Sequence, residues 1–84
     1  MRIDTSSGLH GTLIEYVRLN DESAAIADAI VIVKRDNATF TDAPFSTHRL
    51  YESEGTLVAE AGHYDLTLEQ AQADLDERSG RSRA

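Results

Sequence analysis

The densest apolar run in the chain is Ile30-Val31-Ile32-Val33, four β-branched residues with no polar position between them. A strand with one wet face alternates polar and apolar residues, so an unbroken run predicts a central strand covered on both sides. Lys34-Arg35-Asp36-Asn37 ends it with charges and turn formers. Upstream, residues 12–19 combine β-branched and aromatic types and predict a second strand. The spacing of Leu9, Leu13, Tyr16 and Val17 also fits a helix, and periodicity alone does not separate the two in so short a segment. Asn20-Asp21-Glu22-Ser23 breaks the pattern, and the alanines at 24, 25, 27 and 29 favour a short helix near residues 22–29.

Downstream, Thr39-Phe40-Thr41 predicts a short strand closed by Pro44. Residues 45–52 and 56–61 flank Ser53-Glu54-Gly55, where Gly55 can take a positive φ, and together they predict a β-hairpin. With Glu52 opposite Gly55, His48 falls opposite Ala59, and Gly62 interrupts the second arm. Thr67-Leu68-Glu69-Gln70 has the form of a capping box, in which Thr67 accepts from the Gln70 backbone N–H and the Gln70 side chain reaches back. Leu68, Ala71 and Leu75 form one stripe at helical spacing, Arg78 suits the last turn, and Gly80 is a natural stop. The stripe is too narrow for a helix that stands alone. The predicted class is α+β: a small antiparallel sheet of about four strands with the C-terminal helix packed on one face. A single domain spans residues 1–79, followed by a flexible basic tail at 80–84.

Length and composition set the scale of this domain. In 84 residues there is room for one small core. Leu, Ile, Val and Phe number 19, slightly above the roughly 20 % level below which charged chains stay disordered, while eleven alanines bury little area each. The core is lean, and a dimer interface would add to it.

Charge is the most informative feature. Eight Lys and Arg stand against fifteen Asp and Glu, for a net charge of −7. From Leu50 to Glu77 there are eight acids and no Lys or Arg: Glu52, Glu54, Glu60, Asp65, Glu69, Asp74, Asp76 and Glu77. The last residues reverse sign through Arg78, Arg81 and Arg83.

Chemistry narrows the function classes. With no Cys, disulfides, thiolate zinc sites and cysteine nucleophiles are excluded. No Gly-x-Ser-x-Gly, glycine-rich phosphate loop or calcium-loop spacing occurs. No apolar run approaches the roughly 20 residues of a membrane helix, and the N-terminus lacks the apolar centre of a signal peptide, so a cytoplasmic location is expected. His10, His48 and His63 are the side chains of the one type whose unperturbed charge change falls near neutral pH. In the expected hairpin register His48 and His63 lie on the order of 13 Å apart, too far to share a metal ion. His63 and Asp65, two apart, share a face if that segment is extended and would then orient an imidazole or offer two metal ligands, a pairing common by chance. Three cations in the tail, set against an acidic body, do not support direct nucleic-acid binding.

The expected function is therefore a non-enzymatic, acidic protein-binding module with no cofactor and no resident metal. Its partner is a basic or nucleic-acid-binding protein complex, and the eight carboxylates from Glu52 to Glu77 are the candidate partner-binding residues, standing in for phosphates. In size and charge the chain resembles in type the small acidic inhibitors, DNA mimics among them, that phages and mobile elements direct against nucleases and CRISPR complexes. Two alternatives remain from other classes. One is a homodimeric structural or regulatory subunit that pairs through an exposed strand. The other is a small metal-dependent hydrolase built on His48, His63 and Asp65.

Overall fold

The apolar run of residues 30–33 lies at the centre of the molecule, in the middle strand of a five-stranded antiparallel sheet. The computed structural model describes residues 1–19 and 28–80. Its elements are β1 (Arg2–Asp4), β2 (His10–Arg18), β3 (Ala29–Arg35), β4 (Phe45–Ser53), β5 (Thr56–Leu66) and α1 (Leu68–Ser79), and the strands neighbour one another in chain order. Every pair is antiparallel.

Alternation along β3 divides the core in two. Ala29, Val31 and Val33 join Ile3, Leu9 and Leu50 on the concave face, with Leu13, Leu57 and Ala59 packed around them. Ile30 and Ile32 point the other way, against Ala71 and Leu75 of α1, flanked by Val17, Phe45 and Leu66. Ile32, Val31 and Val33 are fully buried, as expected of a strand covered on both sides. The concave face is closed by curvature and by a strap. The sheet curls into a half-barrel, and the β1–β2 loop reaches across to β5, where the Ser6 N–H donates to the Leu57 carbonyl at 3.1 Å and the Ala59 N–H donates to Ser7 Oγ at 3.1 Å. The strap satisfies backbone groups on the outer edge of β5 that would otherwise be open.

The helix forms where the capping box places it. Thr67 Oγ1 accepts from the Gln70 N–H, Gln70 Oε1 accepts from the Thr67 N–H at 2.9 Å, and Gly80 ends the helix at φ 73°. No helix among the described residues is long and apolar enough to cross a membrane.

The expected α+β class, a small antiparallel sheet with the C-terminal helix packed on one face, is the one that forms; its fifth strand is β1, three residues long and paired with residues 10–12 of β2. Three expectations are corrected. Thr39-Phe40-Thr41 is not a strand but part of a turn in which the Ala43 N–H donates to the Phe40 carbonyl at 3.2 Å. Its apolar residue attracted a strand assignment, yet both sides of β3 are already taken by β2 and β4. In the hairpin, Glu52 faces Leu57 rather than Gly55. The loop is only Glu54-Gly55, with φ of 53° and 77°, the two positive values of a type I′ turn. Gly62 does not interrupt β5: the Tyr64 ring lies where a Gly62 Cβ would stand, about 2.7 Å from it, so the strand continues past the glycine under an aromatic cover. The short helix expected near residues 22–29 lies outside the described residues except for Asp28 and Ala29, and Ala29 already belongs to β3.

Two bulges shape β5. Between Arg49↔Glu60 and Thr47↔His63, and again between Thr47↔His63 and Phe45↔Leu66, β5 uses three residues where β4 uses two. Ala61 and Asp65 carry the irregular backbone, with φ of 52° and 58°. Each extra residue reverses the faces of those that follow.

Truncating Leu75 to Ala should cost about 2–5 kcal/mol in urea unfolding, because its fully buried side chain joins α1 to Ile30 and Ile32. Thr67→Ala should cost about 1 kcal/mol through the cap alone.

Candidate functional site

The eight carboxylates between Leu50 and Glu77 occupy three kinds of position. Glu52 and Glu54 sit at the β4–β5 hairpin tip, and Glu69 and Glu77 lie on exposed positions of α1. None of these four makes an ion pair or side-chain hydrogen bond among the described residues. Glu60 lies opposite Arg49, its Oε1 3.6 Å from the guanidinium, and Asp65 is 3.7 Å from Arg35. Asp74 turns toward the sheet. Asp76 is half-buried on α1 and engaged in an interaction of its own.

Asp74 anchors a polar cluster under the helix. Its Oδ2 accepts from Thr47 Oγ1 and lies 2.7 Å from His63 Nδ1, and Arg78 Nη1 donates to Thr47 Oγ1 at 3.0 Å. Partial burial alone would raise the Asp74 pKa, but the hydrogen bonds from Thr47 and His63 outweigh it and hold the carboxyl below its ordinary value. The cluster ties α1 to β4 and β5 at a site where Thr47 is fully buried. The imidazole also borders a shallow hollow with Gln70, Ala73 and Glu77.

A second constellation occupies the mouth of the half-barrel. A cavity of about 560 Å³ is lined by the β1–β2 loop from Ser7 to His10, by Arg35, Asp36, Asn37 and Thr39 after β3, by His48 of β4, and by Ala59, Tyr64 and Asp65 of β5. His48 is 1 % exposed, with Nε2 2.7 Å from Ser46 Oγ. The Tyr64 ring meets it edge to face at a centroid distance of 5.2 Å. The Arg35 guanidinium lies over that ring, 4.8 Å from its centroid. Burial, reinforced by the positive charges of Arg78, Arg35 and His63, pushes the His48 pKa down to about 4. At the rim, Arg2 forks onto Asp36 at 2.9 and 2.5 Å and onto Asp4 at 3.2 and 3.0 Å, and His10 Nδ1 lies 2.8 Å from Asp4. These bonds lower the pKa of both carboxyls.

The metal-dependent alternative required His48, His63 and Asp65 together, and the structure separates them. His48 pairs with Val31 and faces the concave side, whereas His63 pairs with Thr47 and faces the helix. The first β5 bulge is the physical reason, because it adds the residue that reverses His63. Asp65 turns to Arg35. Among the described residues, no group of three or more His, Asp or Glu has the geometry to hold a metal ion. Sequence reasoning did not single out Arg35, Tyr64, Asn37 or Thr39 as neighbours, nor Thr47 and Arg78 as partners of Asp74. Their proximity follows from the bulges and the helix crossing, which leave no motif in the sequence. Comparison of the chain with protein-family models, curated proteins and solved structures finds no match.

The buried imidazole predicts a pH dependence. In the unfolded chain His48 takes up a proton near 6.5, whereas in the fold it stays neutral down to about 4. Its neutral burial therefore supports the fold fully above about 6.5, and that support is lost as pH falls toward 4, by on the order of 3 kcal/mol over the whole interval. Urea midpoints measured across this range should decline for the native chain, and His48→Gln should flatten the decline.

Proposed function

We propose that the protein is a non-enzymatic acidic recognition module whose partner presents a basic surface of the type that nucleic-acid-binding proteins carry. The observation that carries this reading is the distribution of ion pairs. Arg2 is shared by Asp4 and Asp36, Arg35 lies against Asp65, Arg49 bridges Asp28 and Glu60, and Arg78 is spent on Thr47. Most cations of the described residues are thus engaged internally, while Glu52, Glu54, Glu69 and Glu77 keep exposed charges with no ion-pair partner among the described residues. An uncompensated negative surface attracts a basic partner over about a Debye length, about 8 Å in physiological salt, and repels nucleic acid and acidic proteins. Occupation of a nuclease or CRISPR-type complex at its nucleic-acid groove, as a phage- or mobile-element inhibitor would achieve, is the most specific form of this reading. Glu60, Asp65, Asp74 and Asp76 contribute to the field, but their internal contacts make them weaker choices for direct contact.

Capture of basic nucleic-acid-binding proteins on the immobilised chain tests it. Binding should be released by duplex DNA and by about 1 M salt. It should be lost in the Glu52→Lys, Glu54→Lys, Glu69→Lys, Glu77→Lys variant, whose unfolding midpoint falls only slightly, because these side chains make no ion pair or side-chain hydrogen bond among the described residues and Glu69 alone complements the start of α1. Capture undiminished by the four reversals would refute the reading.

One observation favours the homodimer as a second reading. Beyond residue 13, β2 has no neighbouring strand on its outer side among the described residues, and Ile14, Tyr16 and Leu19 there are each about 40 % exposed. A dimer through this edge would persist in about 1 M salt and dissociate on Tyr16→Lys, as read by sedimentation.

A further inference from the structure

The Arg35 side chain is only 28 % exposed and makes no hydrogen bond among the described residues; its nearest carboxylate oxygen, on Asp65, is 3.7 Å away, beyond hydrogen-bond length. A guanidinium carries five N–H donors in a planar fork. Its unbonded donors are reached by solvent, since no buried side-chain nitrogen or oxygen among the described residues lacks a partner, and they are open to an incoming acceptor. The fork lies over Tyr64 and borders the cavity at the half-barrel mouth. The cavity's volume, about 560 Å³, is in the range of small-molecule sites.

We propose that this cavity binds a small organic monocarboxylate, with its carboxylate on Arg35 and its apolar body against Tyr64, Leu9 and Ala59. Three observations define the class. The Arg35 guanidinium, held over the Tyr64 ring, offers a two-pronged fork that suits a planar, two-oxygen anion. The side chains of Asn37 and Thr39, which have no hydrogen-bond partner among the described residues, supply further polar groups on the same wall. Asp36 and Asp65 also line the cavity, so a second charge on the ligand would meet two carboxylates, and a monoanion is favoured over phosphate. Asp36 shares Arg2 with Asp4 and is held by that pair, so it is not free to move onto Arg35. Asp65 is the loosely held counterion that the ligand displaces. Its positive φ of 58° comes from the second β5 bulge, the irregularity that aims it at Arg35. Neutral His48 at the cavity floor adds no charge to this balance.

The proposal is independent of the acidic recognition surface and is tested separately, by NMR titration of the full chain at neutral pH with benzoate, with benzyl alcohol as its uncharged analogue, and with inorganic phosphate. Benzoate should saturate, move the Arg35 Nε–H and Asn37 side-chain signals, and bind at least about tenfold more tightly than benzyl alcohol or phosphate. Arg35→Gln should weaken benzoate by about tenfold or more, and Asp65→Asn should strengthen it. If Arg35→Gln does not fold, Arg35→Lys keeps the charge, removes the fork, and should still weaken binding. Gly62→Ala, whose added methyl displaces the Tyr64 ring, should lower affinity as well. Equal binding of benzoate and benzyl alcohol, tighter binding of phosphate, or benzoate affinity unchanged by loss of the Arg35 fork would each overturn the assignment.

Discussion

Burial of one strand on both faces governs the whole molecule. A run of four β-branched residues has no polar side to give to water, so each face of β3 must be covered by something else in a chain of 84 residues. The two covers differ. The helix lies on one face with Ala71 and Leu75, while the sheet wraps its own flanks around the other and draws the β1–β2 loop across as a strap. A flat sheet with a single helix would leave Val31 and Val33 in water. Curvature is therefore a requirement of the sequence, and a curved sheet has a mouth; the cavity beneath Tyr64 is a consequence of how the core is closed.

The bulges of β5 convert that general shape into particular neighbours. By adding a residue at Ala61 the strand sends His63 to the helix face, where Asp74 receives it, and by adding another at Asp65 it returns Leu66 to the core beside Phe45. Between the two, Tyr64 remains on the concave side, over Gly62 and against His48. Both positions hold non-glycine residues at positive φ, a conformation that costs energy and persists only where surrounding contacts impose it. Here they include the Thr47–Asp74–His63 cluster on one side and the Arg35–Tyr64 stack on the other.

What the sequence made legible follows from the range of each signal. The central strand, the β4–β5 hairpin and the capped helix are written in adjacent residues: four β-branched positions, a Glu-Gly turn, and a Thr67–Gln70 reciprocal cap. Strand β1 was not legible, because Arg2-Ile3-Asp4 is a strand only by virtue of pairing with His10–Thr12. The apolar Phe40 misled in the opposite direction, since an isolated aromatic resembles a strand residue until the neighbours of β3 are known to be filled. Among chemistry-bearing residues, the pairing of His63 with Asp74 rather than Asp65 and the approach of Arg35 to Tyr64 depend on backbone irregularities that no residue pattern announces. The acids of the C-terminal half were visible as a set. Their division into exposed and internally bonded members was not.

That division bears on why so lean a core carries so much charge. Self-repulsion among like charges opposes compaction, and a small core offers little to offset it. The fold relieves part of the load by spending Arg2, Arg35, Arg49 and Arg78 on carboxylates or on the group that anchors Asp74. Those pairs sit where elements must be joined: β1 to the β3–β4 loop, β3 to β5, and α1 to β4. The carboxylates at the hairpin tip and on the outer face of α1 are left without a cationic partner among the described residues. They lie where they disturb packing least and where an approaching cationic surface would meet them first. Cations spent at the seams, with negative charge left at the periphery, reconcile a marginal core with a high net charge.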